Sequence, residues 1–186
     1  LRNTQPFQRE AAGRMHLFAH NGDLNQFIHN PKRFPTGSYR PIGETDSERA
    51  FCVLMSRISA VWQDGRPDPE VRLAVVADFA ARMRQLGTAN FLYSDGELLF
   101  AHSDRRRQAD GTISAPGLHL LECDESGSGH IDGIDIEPLR NNPGVMLASV
   151  PLDGRNWQPL PEGEVMMFRD GVLLDQCPRL SLWGEA

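Results

Sequence analysis

The spacing of apolar and polar positions changes along this chain, and the changes mark its elements. Residues 1–13 are polar and show no period. Arg14 to His20 reads as a strand built on Met15-His16-Leu17-Phe18-Ala19. Leu24-Asn25-Gln26-Phe27-Ile28 spaces its apolar residues three and four apart, as a short helical turn does. Residues 29–43 carry Pro31, Pro35, Gly37, Pro41 and Gly43 and predict a loop. Thr45 then opens a helix, with Glu48 three residues on to complete a capping box. Phe51, Leu54, Met55, Ile58, Val61 and Trp62 share one face of it. Residues 63–67 form a linker. Asp68 and Pro69 start a second helix, lined by Val75, Val76, Phe79, Ala80, Met83 and Leu86 and stopped by Gly87.

Beyond Gly87 the pattern is that of paired strands. Asn90–Tyr93 and Leu98–Ala101 flank a Ser94-Asp95-Gly96 turn. Arg105-Arg106-Arg107 reads as a solvated loop. Gly117–Cys123 and Val145–Val150 read as strands, with an acidic, glycine-rich surface excursion from Asp124 to Asp135 between them. Its carboxylates do not follow the spacing of a calcium loop. Glu164–Phe168 and Val172–Leu174 make a last hairpin around Asp170-Gly171. One strand, two amphipathic helices and then mostly antiparallel strands predict an α+β domain with helices on the faces of paired sheets. The 186 residues are enough for one such domain, residues 1–186.

Composition narrows the partners. With 40% hydrophobic and 24% charged residues the chain is an ordinary globular one. A net charge of −6 argues against a nucleic-acid partner, whose phosphates call for a basic surface. No apolar run is long enough to span a bilayer. Cys52, Cys123 and Cys177 are an odd number without metal-ligand spacing, which fits a reducing cytoplasm and predicts neither a metal nor another cofactor. Leu1 is not a start methionine, so the chain reads as truncated or processed.

The candidate chemistry gathers in two polar knots, His20-Asn21-Gly22-Asp23 and Gly43-Glu44-Thr45-Asp46-Ser47-Glu48. Asn21-Gly22 has two readings. It is a type I′ hairpin turn, or it ends a strand and offers the Asn21 side-chain amide and the Gly22 N–H as an oxyanion site for acyl transfer. Asp46 likewise has two: a carboxylate complementing the helix dipole, or one that binds a substrate ammonium group.

These residues resemble the class II glutamine amidotransferases, which are N-terminal-nucleophile hydrolases. The likeness rests on Phe18-Ala19-His20-Asn21-Gly22-Asp23-Leu24 followed by Thr45-Asp46-Ser47-Glu48. Asn3-Thr4-Gln5-Pro6-Phe7, Ser94 to His102, Ala148-Ser149-Val150-Pro151-Leu152 and Trp157 to Gly163 extend it over most of the chain, toward the family's stand-alone branch. The resemblance implies a four-layer αββα sandwich, N-terminally truncated here. It implies Asn21 and Gly22 as the oxyanion hole and Asp46 as the group holding the α-amine of glutamine or a γ-glutamyl compound. His20 belongs to the motif without a derivable catalytic role.

Two features of the family have no counterpart. Its nucleophile is an N-terminal cysteine whose own amine is the base, whereas none of Cys52, Cys123 and Cys177 carries a free α-amine. An arginine for the substrate carboxylate, expected before Asn3, is also missing; Arg2 is too close. Val150 stands where relatives commonly have glutamate. The chain therefore reads as the C-terminal portion of an amidotransferase domain. Its intact parent would hydrolyse a γ-carboxamide through a cysteine thioester, with this portion inactive alone. The alternatives are a non-catalytic γ-glutamyl-binding or regulatory module, and a subunit feeding ammonia to a separate synthase.

Overall fold

The computed structural model describes residues 2–29, 33–123, 129–131, 134–136 and 144–181. The strands are β1 (Phe7–Ala11), β2 (Arg14–Asp23), β3 (Thr88–Ser94), β4 (Leu99–His102), β5 (Arg106–Arg107), β6 (Ile113–Ser114), β7 (His119–Cys123), β8 (Gly129–Ile131), β9 (Ile134–Ile136), β10 (Gly144–Ala148), β11 (Gln158–Pro159), β12 (Val165–Arg169) and β13 (Val172–Cys177). The helices are α1 (Gln26–His29), α2 (Asp46–Val61) and α3 (Pro69–Arg84).

An antiparallel six-stranded sheet, β1-β2-β3-β4-β12-β13, is the frame of the molecule. α2 and α3 cover one face, and Phe18, Phe51, Phe79, Phe91 and Phe100 pack between helices and sheet. A three-stranded sheet, β10-β7-β11, lies on the other face. Ala101 and Phe168 of the large sheet pack there against Leu118 and Leu120. Of the four layers that the family resemblance implies, the described residues build three: helices, sheet and second sheet.

The helix starts obey their local chemistry. The Glu48 N–H donates to Thr45 Oγ1 at 3.1 Å, so Thr45 caps α2. The Glu48 carboxylate does not complete the box; it accepts from the N–H groups of Ile42 and Gly43 and from Arg9. Val61, expected on the buried face of α2, is exposed, while Cys52 and Val53 are buried. Asp68 precedes α3 without a side-chain cap bond. Asp170 and Gly171, at φ 51° and 78°, make the expected turn between β12 and β13.

Three further expectations fail, each for a physical reason. Residues 1–13 are not irregular: Phe7 and Ala11 point inward from β1, and Ala12-Gly13, both at positive φ, turn it into β2. Only one large apolar residue marks this strand, too few to show a period. β2 does not stop at His20 but continues through Asn21-Gly22 to Asp23, paired with β3. The hairpin-turn reading of Asn21-Gly22 is thereby excluded, and neither residue has positive φ. Arg106-Arg107 is not plain loop but half of the small β5–β6 hairpin. Most of the acidic excursion from Asp124 to Asp135 lies outside the described residues; β8 and β9 pair within it and just beyond.

A buried ion network closes the end of the large sheet away from Asn21. Arg72, 2% exposed, donates to Asp95 at 2.9 Å and to Glu97 at 3.1 Å. Its guanidinium lies over the Trp62 ring. Asp95 also accepts the N–H groups of Glu97 and Leu98 and so holds the β3–β4 turn.

His16, His20 and His102 are buried, and burial lowers the pKa of each from 6.5, that of His102 to about 3. In the unfolded chain these imidazoles take up protons near pH 6.5, where the folded ones do not. Stability should therefore be full above that pH and fall as pH drops from 6.5 toward the folded values, by up to about 1.4 kcal/mol per pH unit per histidine. Urea unfolding at about pH 7.5 and about pH 5.5 checks this: the midpoint should be lower in acid, and His102→Gln should flatten the difference. Equal midpoints for the parent chain would contradict the burial of neutral imidazoles.

Candidate active site

The end of β2 is where the two polar knots meet. The His20 N–H donates to Gln5 Oε1, and Gln5 Nε2 donates back to the His20 carbonyl at 3.0 Å. On the opposite side, Asn90 Nδ2 donates to the Asn21 carbonyl at 3.0 Å and the Asp23 N–H donates to Thr88 Oγ1 at 3.0 Å. Successive residues of an antiparallel strand turn their backbone groups to alternate sides. The Gly22 N–H therefore leaves on the side of His20 and Gln5, away from β3. Just beyond it the Leu24 N–H donates to Asp46 Oδ2 at 2.7 Å. That bond brings the start of α2 to within two residues of Gly22.

Gly22 is glycine because of a close approach rather than a turn. A Cβ there would lie 2.0 Å from the Thr88 carbonyl oxygen and 2.7 Å from His20 Nε2. The carbonyl is backbone and cannot swing aside.

The Asn21 side chain projects to the face opposite His20, where Nδ2 donates to Ser149 Oγ at 2.6 Å. It stands at a cleft of about 160 Å³ between the two sheets, lined by Asn21, Asn90, Leu92, Leu118, Leu147 and Ser149 among others. Asn21 and Gly22 are both exposed at the same end of β2. The amide faces the cleft, while the Gly22 N–H leaves along the strand edge.

Asp46 is half-buried and already engaged. Besides Leu24, it accepts the Ser47 N–H at 2.7 Å through Oδ1. Two carboxylate oxygens offer about four acceptor positions, so these bonds leave capacity for an ammonium group.

His20 acquires a definite role. Nε2 lies 3.3 Å from the Thr88 carbonyl, which can only accept, so Nε2 carries the proton. Nδ1, 2.9 Å from Ser47 Oγ, then accepts the hydroxyl proton in preference to Asp46 Oδ1, which lies farther off at 3.3 Å. Burial lowers the His20 pKa against the opposing pull of Asp46, which favours this neutral form. His20 is a clasp tying β2 to the first turn of α2 and to β3.

Sequence reading missed Gln5 as the partner of His20, Ser149 as the partner of Asn21, and Asn90 altogether. Asn90, fully buried, donates to the carbonyls of Asn21 and Arg105 and accepts the Asp104 N–H. A polar side chain opening a strand was its only local sign. The cysteines are not part of the cleft lining. Cys52 is buried in α2, and burial pushes its thiol pKa up, away from the reactive thiolate. Among the described residues no group of three or more His, Cys, Asp or Glu is placed to hold a metal ion, and no helix is long and apolar enough to cross a membrane.

Comparison with known proteins bears on the family and the fold. The family model of class-II glutamine amidotransferases matches residues 1–181. YafJ of Escherichia coli, whose name places it among the glutamine amidotransferases, is 34% identical over 175 residues, 90% of this chain and 63% of its own length. The uncharacterized protein MJ1515 of Methanocaldococcus jannaschii is 31% identical over 96% of this chain and 48% of its own. The crystal structure of a predicted glutamine amidotransferase of Pseudomonas aeruginosa superimposes with a TM-score of 0.76 at 32% identity, covering 94% of this chain and 66% of that one. The phosphoribosylpyrophosphate amidotransferase of Bacillus subtilis, at 13% identity and a TM-score of 0.54, shares the fold. The chain thus spans about half to two thirds of the length of these curated relatives.

Proposed function

The chain belongs to the class-II glutamine amidotransferases, and from that premise we propose that it carries the oxyanion and amine-binding half of a glutamine or γ-glutamyl amidase site. In the parent polypeptide an N-terminal cysteine upstream of Leu1 attacks the γ-carboxamide carbon. Asn21 Nδ2 and the Gly22 N–H, which the exposed end of β2 presents on adjoining sides, stabilise the oxygen that becomes negative. The tetrahedral intermediate collapses to a thioester, releasing ammonia or an amine that leaves with a proton. Water then attacks the thioester, returning the thiol and a free γ-carboxylate. Asp46 holds the substrate's α-ammonium group throughout.

The observation that carries this reading is the Leu24–Asp46 bond, since it sets a carboxylate beside the Asn21-Gly22 strand end. The same bond decides how to test it. Asp46→Ala would strip both the substrate contact and a backbone anchor. Asp46→Asn keeps an acceptor for Leu24 or Ser47 and removes only the charge. A charge that binds ground state and transition state alike acts on KM and not on kcat. In the parent protein Asp46→Asn should raise KM for glutamine about tenfold or more and leave glutaramate, which lacks the α-amine, nearly unchanged. Equal impairment of both substrates would reduce Asp46 to a helix-start anchor.

A further inference from the structure

The outer side of the helical layer carries a feature that the amidase reading does not use. Two hollows adjoin across a ridge made by Phe34 and Pro35. One, of about 210 Å³, lies between α2 and α3, with Arg33, Arg57, Arg82, Ser56 and Gln85 as its polar lining. The other, of about 500 Å³, has Arg40, Arg49 and Thr36. No carboxylate is among the described residues lining either hollow.

The charge distribution is unusual for this chain. Its net charge is −6, and many of its arginines are matched: Arg2 with Glu44, Arg66 with Glu97, Arg155 with Asp153, Arg179 with Glu162. Around the hollows, Asp78 serves both Arg57 and Arg82, and among the described residues no second carboxylate pairs with either. Among the described residues no carboxylate pairs with Arg33 or Arg40. Two guanidiniums are steadied by aromatic rings, Arg33 over Phe34 at 5.7 Å and Arg49 over Phe27 at 5.9 Å. At Arg33, an exposed side chain, stacking of this kind occupies the flat face of the guanidinium and leaves its N–H edge for an oxyanion. The Ser56 hydroxyl and the Gln85 amide add neutral donors beside it.

We propose that these hollows form a binding site for a small polyanion bearing phosphate groups. Guanidinium forks match phosphate oxygens in geometry as well as charge. Two hollows, each with its own arginines, suit a ligand with more than one anionic group. Their concave shape and size favour a metabolite over a nucleic-acid strand or a membrane surface.

Pyrophosphate is the probe, titrated calorimetrically into the purified 186-residue chain. One-to-one binding that weakens with added salt is expected. Arg33→Gln and Arg40→Gln, both at exposed side chains, should each weaken it about tenfold or more. Arg107→Gln, on the β5–β6 hairpin, should leave it unchanged. Circular dichroism confirms that each variant is folded. The proposal is overturned if pyrophosphate does not saturate the chain, or if either the Arg33→Gln or the Arg40→Gln chain binds it as the parent does. It is equally overturned if only an oligonucleotide or anionic phosphatidylserine vesicles bind.

Discussion

Replacing Asn21 by alanine in the parent protein is expected to lower kcat on glutamine by roughly 10²–10³-fold, with KM little changed. An oxyanion donor meets full charge only in the transition state, so its loss appears in kcat. The fold should survive the change. The Asn21 side chain is exposed, and its partner among the described residues is Ser149 Oγ. Its backbone carbonyl, which Asn90 holds, is untouched by the substitution. Steady-state kinetics beside a thermal melt separates the outcomes. An unchanged kcat would remove Asn21 from the chemistry, and a lost fold would make it an anchor like His20.

Arg72→Met is expected to cost about 3–5 kcal/mol of stability, because it strands the Asp95 carboxylate in the interior without its cation. For a domain of this length that corresponds to a melting temperature lower by about 10 °C. Asp95→Asn in the Arg72→Met background should recover part of the loss. It removes the buried charge and keeps an acceptor for the Glu97 and Leu98 N–H groups that close the turn. Urea unfolding of the parent chain and the two variants measures this. A single-variant loss under about 1 kcal/mol would show that solvent reaches Asp95.

Why some of this was legible in the chain and some was not follows from the range of the interactions. Thr45 capping α2 and the Asp170-Gly171 turn are local, and residues a few positions away define them. β1 has one large apolar residue and is held by pairing with β2, so periodicity alone passes over it. The Asn21-Gly22 pair shows the limit most clearly. A glycine demanded by a turn and one demanded by a neighbouring backbone look the same in sequence. Here the neighbour is the Thr88 carbonyl, on another strand. Asn90 and Ser149 were invisible for the same reason, since their partners come from across the sheet. The candidate residues Asn21, Gly22 and Asp46 were picked out as a set by their motif and order along the chain, and the Leu24–Asp46 bond brings the two segments together at one end of β2.

The second role of Asp46 could not be read from that motif. Through Leu24 it fixes the exit of β2, and through Ser47, which His20 engages, it touches the clasp behind Gly22. One carboxylate thus links the anchoring of the strand end to the proposed grip on substrate.

Ammonia release from L-glutamine by the proposed parent polypeptide, which carries an N-terminal cysteine ahead of Leu1, tests the account most directly. The account predicts release that disappears when the N-terminal cysteine is changed to alanine and persists when Cys52, Cys123 and Cys177 are all replaced by alanine. It also predicts a γ-glutamyl thioester on that N-terminal residue, detectable by mass spectrometry after rapid acid quench. Release that depends on Cys52, Cys123 or Cys177 would contradict it. So would a parent polypeptide that binds glutamine and releases no ammonia.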